Sequence, residues 1–235
     1  MCKTFKILSL LLSYPSEEIQ AAAGEMKTVL GAEKLVPDHV MKGLCGLLDE
    51  LAEGDLYDLQ ERYVLLFDRS RSLSLHLFEH IHGESRDRGQ AMVDLAEHYA
   101  SHGLELSVHE LPDFLPLFLE FLSTRPLPEA RELLDQPLHV IAALGERLRK
   151  RKSVYALVML ALESIARGKA GRAEIAELLA GPDEDPDDLA ALDRAWEDQP
   201  VTFGPGSGGV SPGGGCPAAR DTLARMDRRA DPTRT

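Results

Sequence analysis

The chain has 235 residues, of which 44% are hydrophobic and only 6% aromatic. Leu and Ala dominate over Val, Ile and Thr, a balance that favours helices over sheets. A net charge of −13 excludes general nucleic-acid binding, which needs a surplus of Lys and Arg, and suits a basic protein partner instead.

At the N-terminus Lys3 and Lys6 precede an apolar run, Ile7 to Leu12, that is too short for a secretory signal. It reads as a first amphipathic helix. Breaks then fall at Tyr14-Pro15, Val36-Pro37, Gly54, Phe67 to Arg71, Gly83, Gly103, Arg125 to Pro128, Pro137 and Gly168. They cut the chain up to Gly181 into segments of helical length, with no hairpin signals between them. Leu56, Leu59, Tyr63, Leu66 and Phe67 form one buried stripe, and Met92, Leu95, Ala96 and Tyr99 form another.

Leu111 to Leu122 is apolar around nearly its whole circumference, so it is expected to be a central helix of a bundle. Pro112 fits its first turn, and Pro116 is expected to kink it or to end that turn. The basic cluster Arg147, Arg149, Lys150, Arg151 and Lys152 reads as a solvated helix face or terminus. The longest uncharged apolar run, Val154 to Leu162, is about half of a membrane span. No stable membrane insertion is expected, and the chain reads as cytoplasmic.

Composition changes after Gly181. Asp183 to Asp198 holds eight acids and one base around Leu189, Leu192 and Trp196, and the Gly/Pro/Ser-rich stretch after Val201 buries too little apolar surface to order itself. The predicted architecture is therefore all-α, a single helical bundle domain over 1–181 followed by a disordered acidic, then Gly/Pro-rich tail over 182–235. Trp196 and Phe203 are the tail's candidates for transient docking. Cys2, Cys45 and Cys216 are widely spaced and lack a C-x-x-C pair, so neither a disulfide framework nor a thiolate metal site is indicated.

Leu77 to Met92, LFEHIHGESRDRGQAM, is the densest polar stretch of the folded part. His76, Glu79 and His80 spell H-x-x-E-H, the zinc pattern of inverted zinc peptidases, which makes a helical zinc hydrolase the alternative reading. The strands and the distant acidic ligand of such enzymes have no counterpart here. Ser85 lacks the second glycine of a nucleophile elbow and reads as a helix N-cap. Arg86 and Arg88 have no Lys-Ser or Lys-Thr of a phosphate loop after them. They suit a bidentate grip on a carboxylate or phosphate, or a network with Glu79, Glu84 and Asp87.

The blocks ERYVLLFDR (Glu61 to Arg69), LFEHIHGESRDRGQAMVDL (Leu77 to Leu95), HGL (His102 to Leu104), ELPDFLPLFLEFL (Glu110 to Leu122) and LDRAWEDQPVTFG (Leu192 to Gly204) cover most of the chain. Together they resemble the NarJ family of respiratory nitrate reductase assembly chaperones, within the molybdoenzyme maturation chaperones. The resemblance implies an all-helical cytoplasmic protein with no catalytic activity and no cofactor of its own. Such a protein binds the apo catalytic (alpha) subunit of respiratory nitrate reductase, mainly by its N-terminal segment. It keeps that subunit competent for insertion of molybdenum cofactor, of the molybdo-bis-guanine dinucleotide type, and of an iron–sulfur cluster before membrane docking. Molybdenum cofactor biosynthesis proteins are further implied partners. In sister chaperones an acid followed by His contributes to peptide binding, whereas here Asp113 is followed by Phe114.

A client helix would lay its apolar face in a groove between bundle helices. Tyr63, Phe67, Phe114 and Phe118 are the expected walls. Glu84, Arg86, Arg88 and Asp113 would set orientation, with His82 and Glu110 beside them. Leu77 to Met92 and Glu110 to Leu122 are expected to be neighbours in the fold.

Overall fold

Proline and glycine punctuation sets the helix boundaries. The computed structural model describes residues 2–82, 87–106, 110–181 and 183. Within them the fold is all-α, with helices α1 (Lys3–Leu11), α2 (Glu17–Glu33), α3 (Asp38–Glu53), α4 (Leu56–Tyr63), α5 (Leu77–His82) and α6 (Asp87–Ser101) in the first half. The second half adds α7 (Leu115–Thr124), α8 (Leu127–Asp135), α9 (Leu138–Lys150), α10 (Ala156–Ile165) and α11 (Arg172–Ala180). A π-helical turn, Val64–Asp68, continues α4, and a 3-10 turn, Arg71–Leu73, comes after it. The described residues all fall within one compact unit, Met1–Asp188.

The amphipathic stripes determine which helices pack together. α1 lies against α7 and α2, α2 against α3, α3 against α10, and α10 against α9, which also holds α11. Phe5, Leu8 and Leu12 meet Leu115, Leu119, Phe121 and Leu122 in a core where each is fully buried. Gly145 lets α9 and α10 approach closely, since a Cβ there would sit 3.1 Å from the Met159 Cβ. α1 has no cap of its own. Glu33 at the end of α2 caps it instead, accepting the Lys3 and Thr4 amides at 2.9 and 2.8 Å and the Thr4 hydroxyl at 2.7 Å. The chain leaves α6 through Gly103, whose φ of 79° is the left-handed conformation favoured after a helix C-terminus. No described helix is long and apolar enough to cross a membrane.

Three expectations need correction. The central apolar helix begins at Leu115, not near Leu111, and Pro116 rather than Pro112 occupies its first turn, so no kink arises. The reason is tertiary: the Leu115 amide donates to Leu75 O at 2.8 Å and the Leu77 amide to Asp113 O at 3.0 Å, which pairs Phe114 with His76 in a short antiparallel bridge. The basic cluster is not uniformly solvated, because Arg147 is only 4% exposed. Third, Met92, Leu95 and Ala96 are half-buried, so Tyr99 alone among the described residues of that stripe is fully buried. Ser85 and the expected tail from Glu184 onward, Trp196 and Phe203 included, lie outside the described residues.

Candidate functional site

The polar run and the segment before α7 meet at one carboxylate. Asp113 is fully buried, and its Oδ2 accepts the Phe78 amide at 3.1 Å, in the first turn of α5. An N-terminal amide of a helix has no intrahelical partner, so Asp113 caps α5 from a distant part of the chain. Its Oδ1 pairs with His76 Nδ1 at 3.1 Å, and Arg88 Nη2 stands 4.0 Å from Oδ2 while donating to Glu79 Oε1 at 3.3 Å. Phe114 is half-buried with its ring 5.3 Å from the His76 ring. Tyr99 Oη closes the cluster by donating to Pro112 O at 2.9 Å.

Of the residues expected to bind a client, this junction brings together Arg88, Asp113 and Phe114. His82, at the end of α5, packs edge-on to Phe78, and Glu110 is exposed. Glu84 and Arg86 lie outside the described residues. Tyr63, Phe67 and Phe118 are 4%, 5% and 6% exposed. These three serve as core packing in this conformation, while Phe114 stays half-buried. Tyr63 and Phe67 belong instead to an aromatic row running from Tyr14 to Tyr155, and Tyr63 Oη donates to Leu12 O.

Reading the sequence missed the apolar surface near the junction. Ile81, Val93 and Leu111 are 42%, 51% and 46% exposed, on α5, on α6 and just before Asp113. The available signal was Ile81 itself, an aliphatic side chain between two histidines in a polar run.

The H-x-x-E-H residues are otherwise engaged. His76 precedes α5 and faces Asp113, Glu79 pairs with Arg88, and His80 Nε2 bonds to Ser74 O at 2.8 Å. Among the described residues no three His, Cys, Asp or Glu side chains converge as a metal-binding group. Burial pushes the His80 pKa below its ordinary value, and the nearby Arg147 charge adds to that, outweighing the Ser74 bond and the Glu79 and Asp113 charges. A folded-state pKa below the unfolded value of about 6.5 means that the unfolded chain binds the proton more readily. The His80 contribution is therefore present above that pH and lost as pH falls through the folded-state pKa. The stability gap between wild type and His80→Gln, followed by urea unfolding from pH 8 to pH 5, is expected to move against the wild type below about pH 6.5. A gap independent of pH would show that His80 does not fold in its neutral form.

A family profile described as nitrate reductase delta subunit matches residues 16–160, from α2 into the first half of α10. The chain belongs to this family. The Escherichia coli K12 nitrate reductase molybdenum cofactor assembly chaperone NarJ is 44% identical over 198 residues, covering 84% of this chain and 83% of NarJ. A candidate chaperone of the same description from that strain, NarW, is 36% identical over 198 residues, covering 84% of this chain and 82% of NarW. A solved structure of a candidate redox enzyme maturation protein from Archaeoglobus fulgidus shares the fold, with a TM-score of 0.51 at 24% identity. It covers 69% of this chain and 91% of its own. Both Escherichia coli relatives are named as assembly chaperones for the molybdenum cofactor of nitrate reductase.

Proposed function

We propose that this member of the delta subunit family binds the apo catalytic subunit of a respiratory nitrate reductase, chiefly through that subunit's N-terminal segment. The observation that carries the reading is the 44% identity to NarJ across 84% of the chain. The chaperone holds its client open for insertion of molybdenum cofactor, of the bis-guanine dinucleotide type, and of an iron–sulfur cluster. It then leaves before the enzyme docks on its membrane subunit. The cofactor is the client's cargo, delivered with the help of its biosynthesis proteins, and the chaperone acts in the cytoplasm. Residues 1–181 form the chaperone domain and 182–235 a tail.

The α5–α6 junction supports a docking surface of this kind. Exposed Ile81, Val93 and Leu111 offer apolar contacts, half-buried Phe114, His82 and Arg88 offer polar and aromatic ones, and the net charge of −13 suits a basic client segment. Glu84, Arg86 and exposed Glu110 complete the client-binding set. Asp113 takes part as a positioning residue, since its buried carboxylate touches the elements and not the client. Tyr63, Phe67 and Phe118 support it from the core.

Calorimetric titration with a peptide of the client's N-terminal segment tests the reading. The double variant Ile81→Asp, Leu111→Asp is expected to weaken binding at least tenfold, and Arg88→Ala several-fold, with helical content unchanged, because charge in an apolar contact costs a kilocalorie or more, on the order of a tenfold change. Wild-type affinity in both variants would move the client surface elsewhere.

A further inference from the structure

α11 is held differently from the other described helices. It packs on α9, and its most covered residues, Ile175, Leu178 and Leu179, are only half-buried. Among the described helices it alone buries no residue, whereas α9 buries eight and α10 five. The flanking Gly171 and Gly181 supply no side-chain cap. Nine residues are too few to stay helical alone in water, so α11 keeps its form only while it lies on α9.

A guanidinium holds its end. Arg147, 4% exposed, donates from Nη2 to Leu178 O at 2.6 Å, in the last turn of α11, where carbonyls lack helical partners. The Gly181 amide shares that carbonyl at 3.4 Å. A cation at this place also complements the negative end of the helix dipole. The same side chain donates from Nη1 to Ser72 O at 2.7 Å, so Arg147 stays fixed to the 3-10 turn when Leu178 leaves it. At the start of α11 the path from α10 is pinned as far as Gly168, because Asp135 Oδ1 accepts the Arg167 and Gly168 amides at 3.0 and 2.9 Å. Lys169 to Gly171 then cross to α11, with Lys169 and Gly171 exposed.

We infer that α11 is a strap that opens from α9 as a unit while the bundle stays folded, with Arg147 as its latch and Lys169 to Gly171 as its hinge. Closed, it covers the Arg147 guanidinium and the part of the apolar core against which Leu178 packs. Opening exposes both.

Native-state hydrogen exchange of the full chain, followed by mass spectrometry at a series of low urea concentrations, tests this. Amides of 172–180 are expected to be protected on the order of a hundredfold, through an opening nearly insensitive to urea, and those of α9 and α10 roughly a thousandfold more. Leu178→Asp places a charge in the packed contact and holds the strap open. Exchange over 172–180 then runs close to that of an unstructured peptide, and α9 and α10 remain protected. Only the closed state is lost, so the folding equilibrium falls by no more than the protection measured for 172–180 in wild type, and adding Ile175→Asp lowers it no further. Arg147→Gln is expected to speed exchange over 172–180 about tenfold, the worth of a charge-assisted hydrogen bond, and to leave it unchanged in the Leu178→Asp background. Protection and urea dependence over 172–180 equal to those of α9 and α10 overturn the proposal, as does loss of α9 and α10 protection in Leu178→Asp. Wild-type exchange over 172–180 in Arg147→Gln removes the latch and overturns it equally.

Discussion

Asp113→Ala is expected to destabilise the chain by about 3 kcal/mol, and so to lower the thermal midpoint by on the order of 10 °C. The carboxylate caps α5 at the Phe78 amide, meets His76 Nδ1, and faces Arg88 from a site with no solvent exposure. Losing the cap leaves the Phe78 amide without its acceptor and costs about 1 kcal/mol, and removing the buried partner of His76 and Arg88 costs a further 1–3 kcal/mol, roughly. Asp113→Asn keeps an amide oxygen for Phe78 and removes the charge, so it is expected to lose about half as much. Differential scanning calorimetry of the three proteins checks the order. A midpoint for Asp113→Ala within a degree or two of wild type would mean that α5 holds its place without this cap. Because the carboxylate is buried, weaker client binding in Asp113→Ala is expected to accompany the loss of stability, whereas Ile81 and Leu111 substitutions separate the two.

Tyr99→Ala is expected to release α6 while the bundle stays folded. Tyr99 is fully buried, packs its ring 4.7 Å from Phe121, and ties Pro112 through its hydroxyl, whereas Met92, Leu95 and Ala96 on the same helix are only half-buried. Removing a large aromatic from such a site costs about 3–5 kcal/mol, a large share of a stability of about 5–15 kcal/mol. Since α6 contributes little else to the core, the expected result is faster hydrogen exchange over 87–101, by a hundredfold or more, with α1 and α7 still protected. Uniform loss of protection would show that α6 and the bundle unfold as one unit. Tyr99→Phe isolates the hydroxyl and is expected to cost about 1 kcal/mol.

Both effects converge on the contact between Leu75–Phe78 and Pro112–Leu115, and that contact divides what could be read in the chain from what could not. The helices were legible because Pro15, Pro37, Gly54, Gly103 and Pro137 interrupt apolar periodicities, and the observed elements stop at or just before these residues. The start of α7 was not legible: Leu111 to Phe114 continues the apolar character of Leu115 to Leu122, but Asp113 O accepts the Leu77 amide and the Leu115 amide donates to Leu75 O, both in a segment remote in sequence. Tyr63 and Phe67 were correctly placed on a buried stripe. A stripe shows which face is covered, not whether a partner or the bundle itself covers it, and here the bundle does. Arg147 shows the same limit with opposite sign, since a basic cluster on a helix end ordinarily faces water, and only the position of Ser72 and Leu178 turns this guanidinium inward.

Periodicity, punctuation and composition by themselves determined the all-α class, the breaks between helices and the absence of a positive surplus for nucleic acid, and the motif blocks pointed to the family. Those signals act over one or two helical turns, the range over which propensity and amphipathicity operate. The tertiary structure alone decided that Asp113 is a buried cap of α5, that Ile81, Val93 and Leu111 are left exposed, and that the Arg147 guanidinium turns inward onto the Ser72 and Leu178 carbonyls. Each is a question of which distant group satisfies or covers a side chain, and no local rule carries that information.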